Sequence, residues 1–418
     1  MDFFTYKDGM YHAEGVSIEA LAKEVGTPFY CYSTATLERH YKVFSGHFAD
    51  MGAKVCYAVK TNSNLAVLKT LAALGSGADV VSEGEIRLAL AAGIKPSDVV
   101  FSGVGKTATE MAYALSQDIF QFNVESEPEL ELLNQVAGKA GKKARIAIRV
   151  NPDVDPKTHA KISTGQKTTK FGIAMSRALP VYKQAASLPH IDLQGVSVHI
   201  GSQLTSVEPF AEAFARVRAF VLALREEGLS ISTIDLGGGL GIPYGEGDPP
   251  IPETYADVVK NAVGDLGCQL VFEPGRLISG NAGILVTKVI YVKESDGKNF
   301  VIVDAAMNDL IRPTLYEAYH HIIPAKQTDA APKPVDIVGP VCETGDIFAE
   351  NRPLSLPNAE DLLIIRTTGA YGAVMANTYN ARLLVPEVMV NGDKWAVIRP
   401  RQTYEALIGR DVLPNWVA

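Results

Sequence analysis

Between about residues 54 and 276, short β-branched apolar runs alternate with longer stretches in which apolar positions recur every three or four residues. A period near two in the short runs and near 3.6 in the long ones predicts strands and helices in turn, the pattern of βα units around a parallel sheet. Eight strands are expected: KVCYAV (54–59), ADVVS (78–82), DVVFS (98–102), IFQFNV (119–124), RIAIRV (145–150), LQGVSVHI (193–200), TIDL (233–236) and QLVFE (269–273). Stretches such as EGEIRLALAAG (83–93) and EPFAEAFARVRAFVLALREEG (208–228) supply helices between them. Eight strands, each followed by a helix, predict an α/β fold built on a (β/α)8 TIM barrel.

Beyond Arg276 the pattern changes to alternating apolar and polar positions broken by turn residues, as in GILVTKVIYVKESDGKNFVIVD (283–304) and EVMVNGDKWAVIRP (387–400). That texture predicts an antiparallel β domain. The N-terminal YKDGMYHAEG has the form of a hairpin, so the expected division is a barrel over residues 30–276 and a β-sandwich or barrel-like domain from residues 1–29 and 277–418.

Composition narrows the function. The 418 residues are 47% hydrophobic, enough to bury a large core without disulfide or metal staples. A formal net charge of −8 argues against a general nucleic-acid binder, which needs a basic surface to neutralise phosphates. Cys31, Cys56, Cys268 and Cys342 are widely spaced and form no CxxC pair, so neither a zinc site nor a disulfide framework is expected. No apolar stretch reaches bilayer-spanning length and the first residues lack a signal-peptide pattern, so a cytoplasmic chain without membrane contact is expected.

A barrel carries its chemistry where strands end at the C-terminal face. Lys60 follows the first strand, where a desolvated amine could attack an aldehyde; the bland alternative is a lysine reaching solvent. His199 ends the sixth strand, a position where a lone histidine is more often a core or turn residue than a catalyst. DLGGGLGIP after the seventh strand offers Gly238 and Gly239 amides to an anion, or is merely a tight turn. Glu273, after an apolar strand, is expected to bond a cofactor nitrogen or to pair with Arg276. In GPVCETGD (339–346), Cys342 is a candidate proton donor and Glu343 a candidate ligand for a substrate ammonium, against the plainer reading of a buried thiol beside a surface acid.

Taken together, YAVKTN (57–62), HIGSQ (199–203), DLGGGLGIPY (235–244), EPGR (273–276) and CETGD (342–346) resemble the fold-type III pyridoxal-phosphate decarboxylases, alanine racemase-like in fold, over about residues 10–410. Within that group the chain most resembles the diaminopimelate decarboxylases, because HAKISTG followed by KFGI (159–173) and RPTLYEAYHHI (312–322) are similar to their segments. The resemblance implies that pyridoxal 5'-phosphate is held by Lys60 as a Schiff base, with His199 stacked on the ring. It implies that Ser202, Gly238, Gly239, Glu273, Pro274, Gly275, Arg276 and Tyr371 contact the cofactor. Arg276, Arg312, Tyr316, Glu343 and Tyr371 would bind the substrate, and Cys342 would donate a proton. It further implies a homodimer with shared sites, no metal, and decarboxylation of meso-2,6-diaminopimelate to L-lysine, the last step of lysine biosynthesis. Two arginines suit a substrate with a carboxylate at each end. Other basic amino-acid or carboxynorspermidine decarboxylases, and a non-catalytic pyridoxal-binding regulator, are the competing readings.

Overall fold

The computed structural model describes residues 2–155, 170–245, 247 and 249–417. HAKISTG therefore lies outside the described residues. The chain divides into two compact units, Leu37–Ile278, and Met1–Thr36 with Ser279–Ala418.

In Leu37–Ile278 the eight barrel strands are Lys54–Ala58, Gly77–Val80, Val99–Phe101, Gln121–Val124, Ala144–Asn151, Ile191–Ser197, Thr233–Asp235 and Gln269–Phe272. Each pairs in parallel with the next, and the eighth returns to the first through Val271↔Lys54 and Phe272↔Val55, closing the ring. The two-residue strand Ile173–Ala174 adds to the fifth. Helices follow where the 3.6-residue period predicts them, among them Glu83–Ala91 and Glu208–Glu226. Their starts are locally encoded. Asn64, Ser82, Thr107 and Ser126 each cap a helix N-terminus with a side-chain oxygen, and Thr107 and Glu110 form a reciprocal capping box.

Strand alternation sorts side chains between the barrel interior and the helices outside. Phe272 faces outward, its ring 4.2 Å from that of Phe48 and edge-on to Tyr255. Cys56, Val100, Phe120 and Val271 form a buried apolar cluster inside. Residues two positions further along these strands share the inward face but lie nearer the C-terminal end, which places Ser102 and Glu273 above that apolar floor.

The other unit carries a mixed sheet in which Gly283–Ser295 is the long central strand, antiparallel to Lys298–Val303, to Leu362–Ile365 and to Phe29–Ser33. Two pairings depart from the antiparallel expectation: Lys298–Val303 with Pro332–Val338, and Glu387–Asn391 with Phe29–Ser33, both parallel. Phe29–Ser33 also falls on the barrel side of the expected boundary at residues 29/30. Its FYCYS run is buried throughout because it lies between two strands of this sheet, a pattern indistinguishable in sequence from the entry to a parallel barrel. Phe4–Lys7 and Met10–Ala13 form the N-terminal hairpin.

Candidate active site

Lys60 sits in the single helical turn Val59–Thr61 directly after the first barrel strand. Its Nζ lies 2.8 Å from Oδ2 of Asp79, whose side chain is fully buried at the end of the second strand. The amine is therefore held as one half of an ion pair and its side chain keeps 37% of its exposure, which replaces the expectation of a desolvated amine. The reason is register. Ala58 stands opposite Asp79 in the parallel ladder, so a carboxylate on the neighbouring strand comes within reach of whatever follows Ala58.

Asp79, Asp235 and Glu273 place buried carboxyl groups at this end of the barrel interior. Asn123, on the fourth strand, ties two of them together. Its Nδ2 lies 2.7 Å from Asp235 Oδ2, 3.1 Å from Glu273 Oε1 and 3.1 Å from Ser102 Oγ, while its Oδ1 accepts from Gln121 Nε2 at 2.8 Å. Ser102 Oγ also donates to Glu273 Oε1 at 3.2 Å, and the Gly237 N–H donates to Asp235 Oδ1 at 3.0 Å. Burial, reinforced by the charges of Asp235 and Asp79, holds the Glu273 carboxyl well above the usual carboxylate range, with Lys60 pulling the other way. Burial also raises Asp235, to about 6, against the hydrogen bonds it accepts from Asn123 and Gly237. Burial thus favours the protonated form of Glu273, which weakens the case for the ion pair with Arg276 that the sequence left open.

Arg276 turns instead to Ser202 and Tyr244. Its NH2 donates to Ser202 Oγ at 3.1 Å and its NH1 to Tyr244 OH at 2.7 Å. His199 lies two residues past the sixth strand, and its Nδ1 accepts the Gly238 N–H at 3.2 Å. Burial, then the nearby cations of Arg149 and Lys60, hold its pKa well below the ordinary value. The imidazole is consequently neutral, with its remaining proton on Nε2. Arg149 is itself neutralised by Glu125 at 3.0 Å, and Glu125 is anchored by the Gly103 N–H at 2.8 Å.

The glycine turn is sterically obligatory. A Cβ on Gly238 would come within 2.3 Å of the Glu273 carbonyl oxygen, and one on Gly239, whose φ is +111°, within 2.3 Å of the Gly201 carbonyl oxygen. Only glycine lets the loops after the sixth and seventh strands and the end of the eighth approach so closely. Leu204 N–H to Gly239 C=O and Gly241 N–H to Leu204 C=O, both 2.9 Å, fasten the two loops. Pro274 and Gly275 continue the eighth strand, where Pro274 C=O accepts the Ala58 N–H at 3.1 Å and a Cβ on Gly275 would meet the Thr61 side chain at 2.5 Å. The barrel thus gathers Lys60, His199, Ser202, Gly238, Gly239, Glu273, Pro274, Gly275 and Arg276 at one end.

Within the β unit the remaining candidates are held by loops. Cys342 and Glu343 are exposed, which sets aside the buried-thiol alternative. Their loop is pinned from beneath by buried Asp346, which accepts the Val341 and Met307 N–H groups at 2.7 Å each. Asn380 Oδ1 accepts the Cys342 N–H at 3.0 Å, and the carboxylate of Glu343 raises the pKa of Tyr379. Arg312 is buried at the start of the short helix Arg312–Tyr316, with Tyr316 at its other end. Tyr371 adopts a φ of +56°, a strained conformation for a residue with a Cβ.

Residues 34–280 match the family model described as pyridoxal-dependent decarboxylase, pyridoxal binding domain. The chain belongs to this decarboxylase family. Among curated members, the diaminopimelate decarboxylase of Vibrio cholerae is 52% identical over 99% of this chain and 100% of its own length, and that of Aquifex aeolicus is 45% identical over 97% and 96%. A crystal structure of the M. jannaschii diaminopimelate decarboxylase in complex with L-lysine superposes with a TM-score of 0.95 at 40% identity, covering 99% of this chain and 98% of that one. The decarboxylase site suits the family's cofactor on its own geometry: an amine beside a buried acid, a protonated carboxyl on the adjoining strand, a neutral imidazole and a glycine turn that no Cβ could occupy. Asp79 and Asp235, together with Asn123, Ser102, Arg149 and Tyr244, were not singled out in the sequence. The available signal was a polar residue inside an apolar strand, as in GADV, QFNV and TID.

Proposed function

We propose that the chain removes one carboxylate of meso-2,6-diaminopimelate as carbon dioxide and releases L-lysine, the closing step of lysine biosynthesis, using pyridoxal 5'-phosphate. The carrying observation is that Lys60 and the protonated carboxyl of Glu273 stand at the ends of two hydrogen-bonded strands, with Asp79 interacting with both. Near-complete likeness to relatives that bear this activity's name supports the choice of substrate.

When bound, the cofactor supplies an electron-withdrawing ring that accepts the pair left behind by the departing carboxylate. The protein's own contributions follow from the site. Lys60 Nζ would be the nucleophile that anchors the cofactor, and Asp79 Oδ2, 2.8 Å from that nitrogen, accepts its proton in a hydrogen bond. Glu273 would hold a proton for the ring nitrogen. His199 presents a flat, uncharged face, so it adds no positive charge that would compete with that proton. Ser202, Gly238, Gly239, Gly275, Arg276 and Tyr371 are assigned to cofactor phosphate and ring contacts, and Pro274 to holding their segment rigid. Arg276, Arg312, Tyr316, Glu343 and Tyr371 are assigned to the substrate's distal carboxylate and ammonium, and Cys342 Sγ to delivering a proton to the substrate carbon.

The resemblance further supports a homodimer in which Cys342 and Glu343 serve the site of the second copy; sedimentation of the purified chain tests it. Four free cysteines, and the absence of a membrane-crossing helix among the described residues, support a cytoplasmic setting. The deciding experiment measures carbon dioxide and lysine released from meso-diaminopimelate beside ornithine, arginine, lysine and carboxynorspermidine. Preference for any of the latter overturns the substrate assignment, and inactivity on all of them supports the non-catalytic reading.

A further inference from the structure

We infer that Asp235 is a positioning residue which, joined to Glu273 through Asn123, keeps one proton stored inside the barrel before any cofactor arrives. The significance of that store rests on the pyridoxal reading above; its existence does not.

Burial and charge favour the proton. The carboxyl groups of Asp235 and Glu273 are both buried and share one donor, Asn123 Nδ2, which lies 2.7 Å from Asp235 Oδ2 and 3.1 Å from Glu273 Oε1. Two carboxylates so close together inside the barrel repel each other, and one of them is relieved by taking up a proton. Asp235 is the better anion of the two: N–H donors from Gly237 and Asn123 reach both of its oxygens at 3.0 and 2.7 Å, whereas Ser102 and Asn123 meet Glu273 at one oxygen, Oε1, at 3.2 and 3.1 Å. Glu273 therefore holds the proton, and the direction of its raised pKa agrees. The surrounding charges favour retention. Asp79 faces the pair from the second strand, and Lys60, a cation that acts on Glu273, is already matched by Asp79. Cys56 and Tyr255, which also feel these carboxyls, are held neutral by burial. A third buried negative charge here would have to share Lys60 with Asp79, and storing a proton costs less than desolvating that charge.

The consequence is that the acid facing the ring nitrogen is loaded in advance, in a pocket fixed by strands, rather than recruited from solvent when the ring binds. Loss of Asp235 removes the anion that raises Glu273, so Glu273 then releases that proton at lower pH.

Infrared spectroscopy of the cofactor-free chain over a pH series reads the buried protonated carboxyl directly, with deuterium exchange to identify its band. The expected result is a protonated-carboxyl band at neutral pH that vanishes in Glu273→Gln and whose titration midpoint falls by about one pH unit or more in Asp235→Asn, a shift equivalent to a tenfold weaker hold on the proton. Persistence of the band in Glu273→Gln, or an unmoved midpoint in Asp235→Asn, overturns the inference. Should Asp235→Asn fail to fold, the Glu273→Gln spectrum decides alone. A wild-type band together with failure to bind pyridoxal 5'-phosphate leaves the proton store standing and removes the functional reading instead.

Discussion

At the barrel end, reactive groups are placed by strand register: Lys60 follows Ala58, Ala58 stands beside Asp79, and the eighth strand carries Glu273 next to the first. Around residues 339–346 no strand does this work. Cys342 and Glu343 lie on exposed loop, and their placement depends on one buried acid below, Asp346, and on Asn380, which holds a φ of +55° at one side. The first arrangement ties chemistry to the most cooperative part of the fold, while the second isolates it on a few hydrogen bonds. Barrel variants should therefore damage chemistry with little change of local geometry, whereas loop variants should act largely through geometry.

The largest effect tests the barrel side of that contrast. Lys60→Ala should abolish the visible absorbance of lysine-anchored cofactor and lower turnover by roughly ten-thousandfold or more, the scale of losing a covalent catalytic residue. Next, Cys342→Ala should still bind cofactor with an unchanged spectrum while turnover falls by about a hundredfold to ten-thousandfold, as for a lost general acid. Full turnover in that variant would remove the proton-donor role.

Asp346→Ala should strip two charge-assisted bonds from the loop and destabilise the chain by about 3 kcal/mol in urea melts. Turnover should fall with it while the barrel-bound cofactor spectrum stays in place. Asp346→Asn, which keeps an acceptor oxygen, should recover part of both losses. Equal damage from the two substitutions would mean that charge, not loop geometry, is what Asp346 contributes.

An effect on stability alone, absent at low pH, belongs to Glu85, which feels the charges of Lys60 and Asp79. Burial raises its pKa from 4.5 to about 7, opposed by the Val81 N–H that it accepts at 2.8 Å. Its folded-state pKa exceeds the unfolded one, so its contribution to stability is full below about pH 4.5 and is lost as pH rises through about 7. Glu85→Gln should then be more stable than the wild type at high pH, by up to about 3 kcal/mol, and equal to it near pH 4. A pH-independent difference would refute the assignment.

The barrel was legible because closed parallel sheets repeat one grammar, an apolar run followed by an amphipathic helix, eight times over. Lys60, His199, Glu273 and the glycine turn could be found at strand ends because the fold dictates where its loops must carry function. Asp79, Asn123 and Asp235 escaped because a polar residue within a three- or four-residue strand carries no mark of which face it occupies. Only closure of the ring shows that all three point inward. The parallel pairings of the β unit were hidden for a related reason: Phe29–Ser33 and Glu387–Asn391 are neighbours in space but lie more than 350 residues apart. Alternation reveals that a strand exists and says nothing about its partner.

The seam between the eighth and first strands has a further outcome for how the protein comes into being. Lys60 leaves the ribosome more than two hundred residues before Glu273, and the two become neighbours only when Gln269–Phe272 docks against Lys54–Ala58. A nascent chain halted anywhere before that point can pair Lys60 with Asp79 but lacks the Glu273 carboxyl. Assembly is thereby self-timed: the reactive centre switches on with the last stave of the barrel, and no shorter translation product carries it.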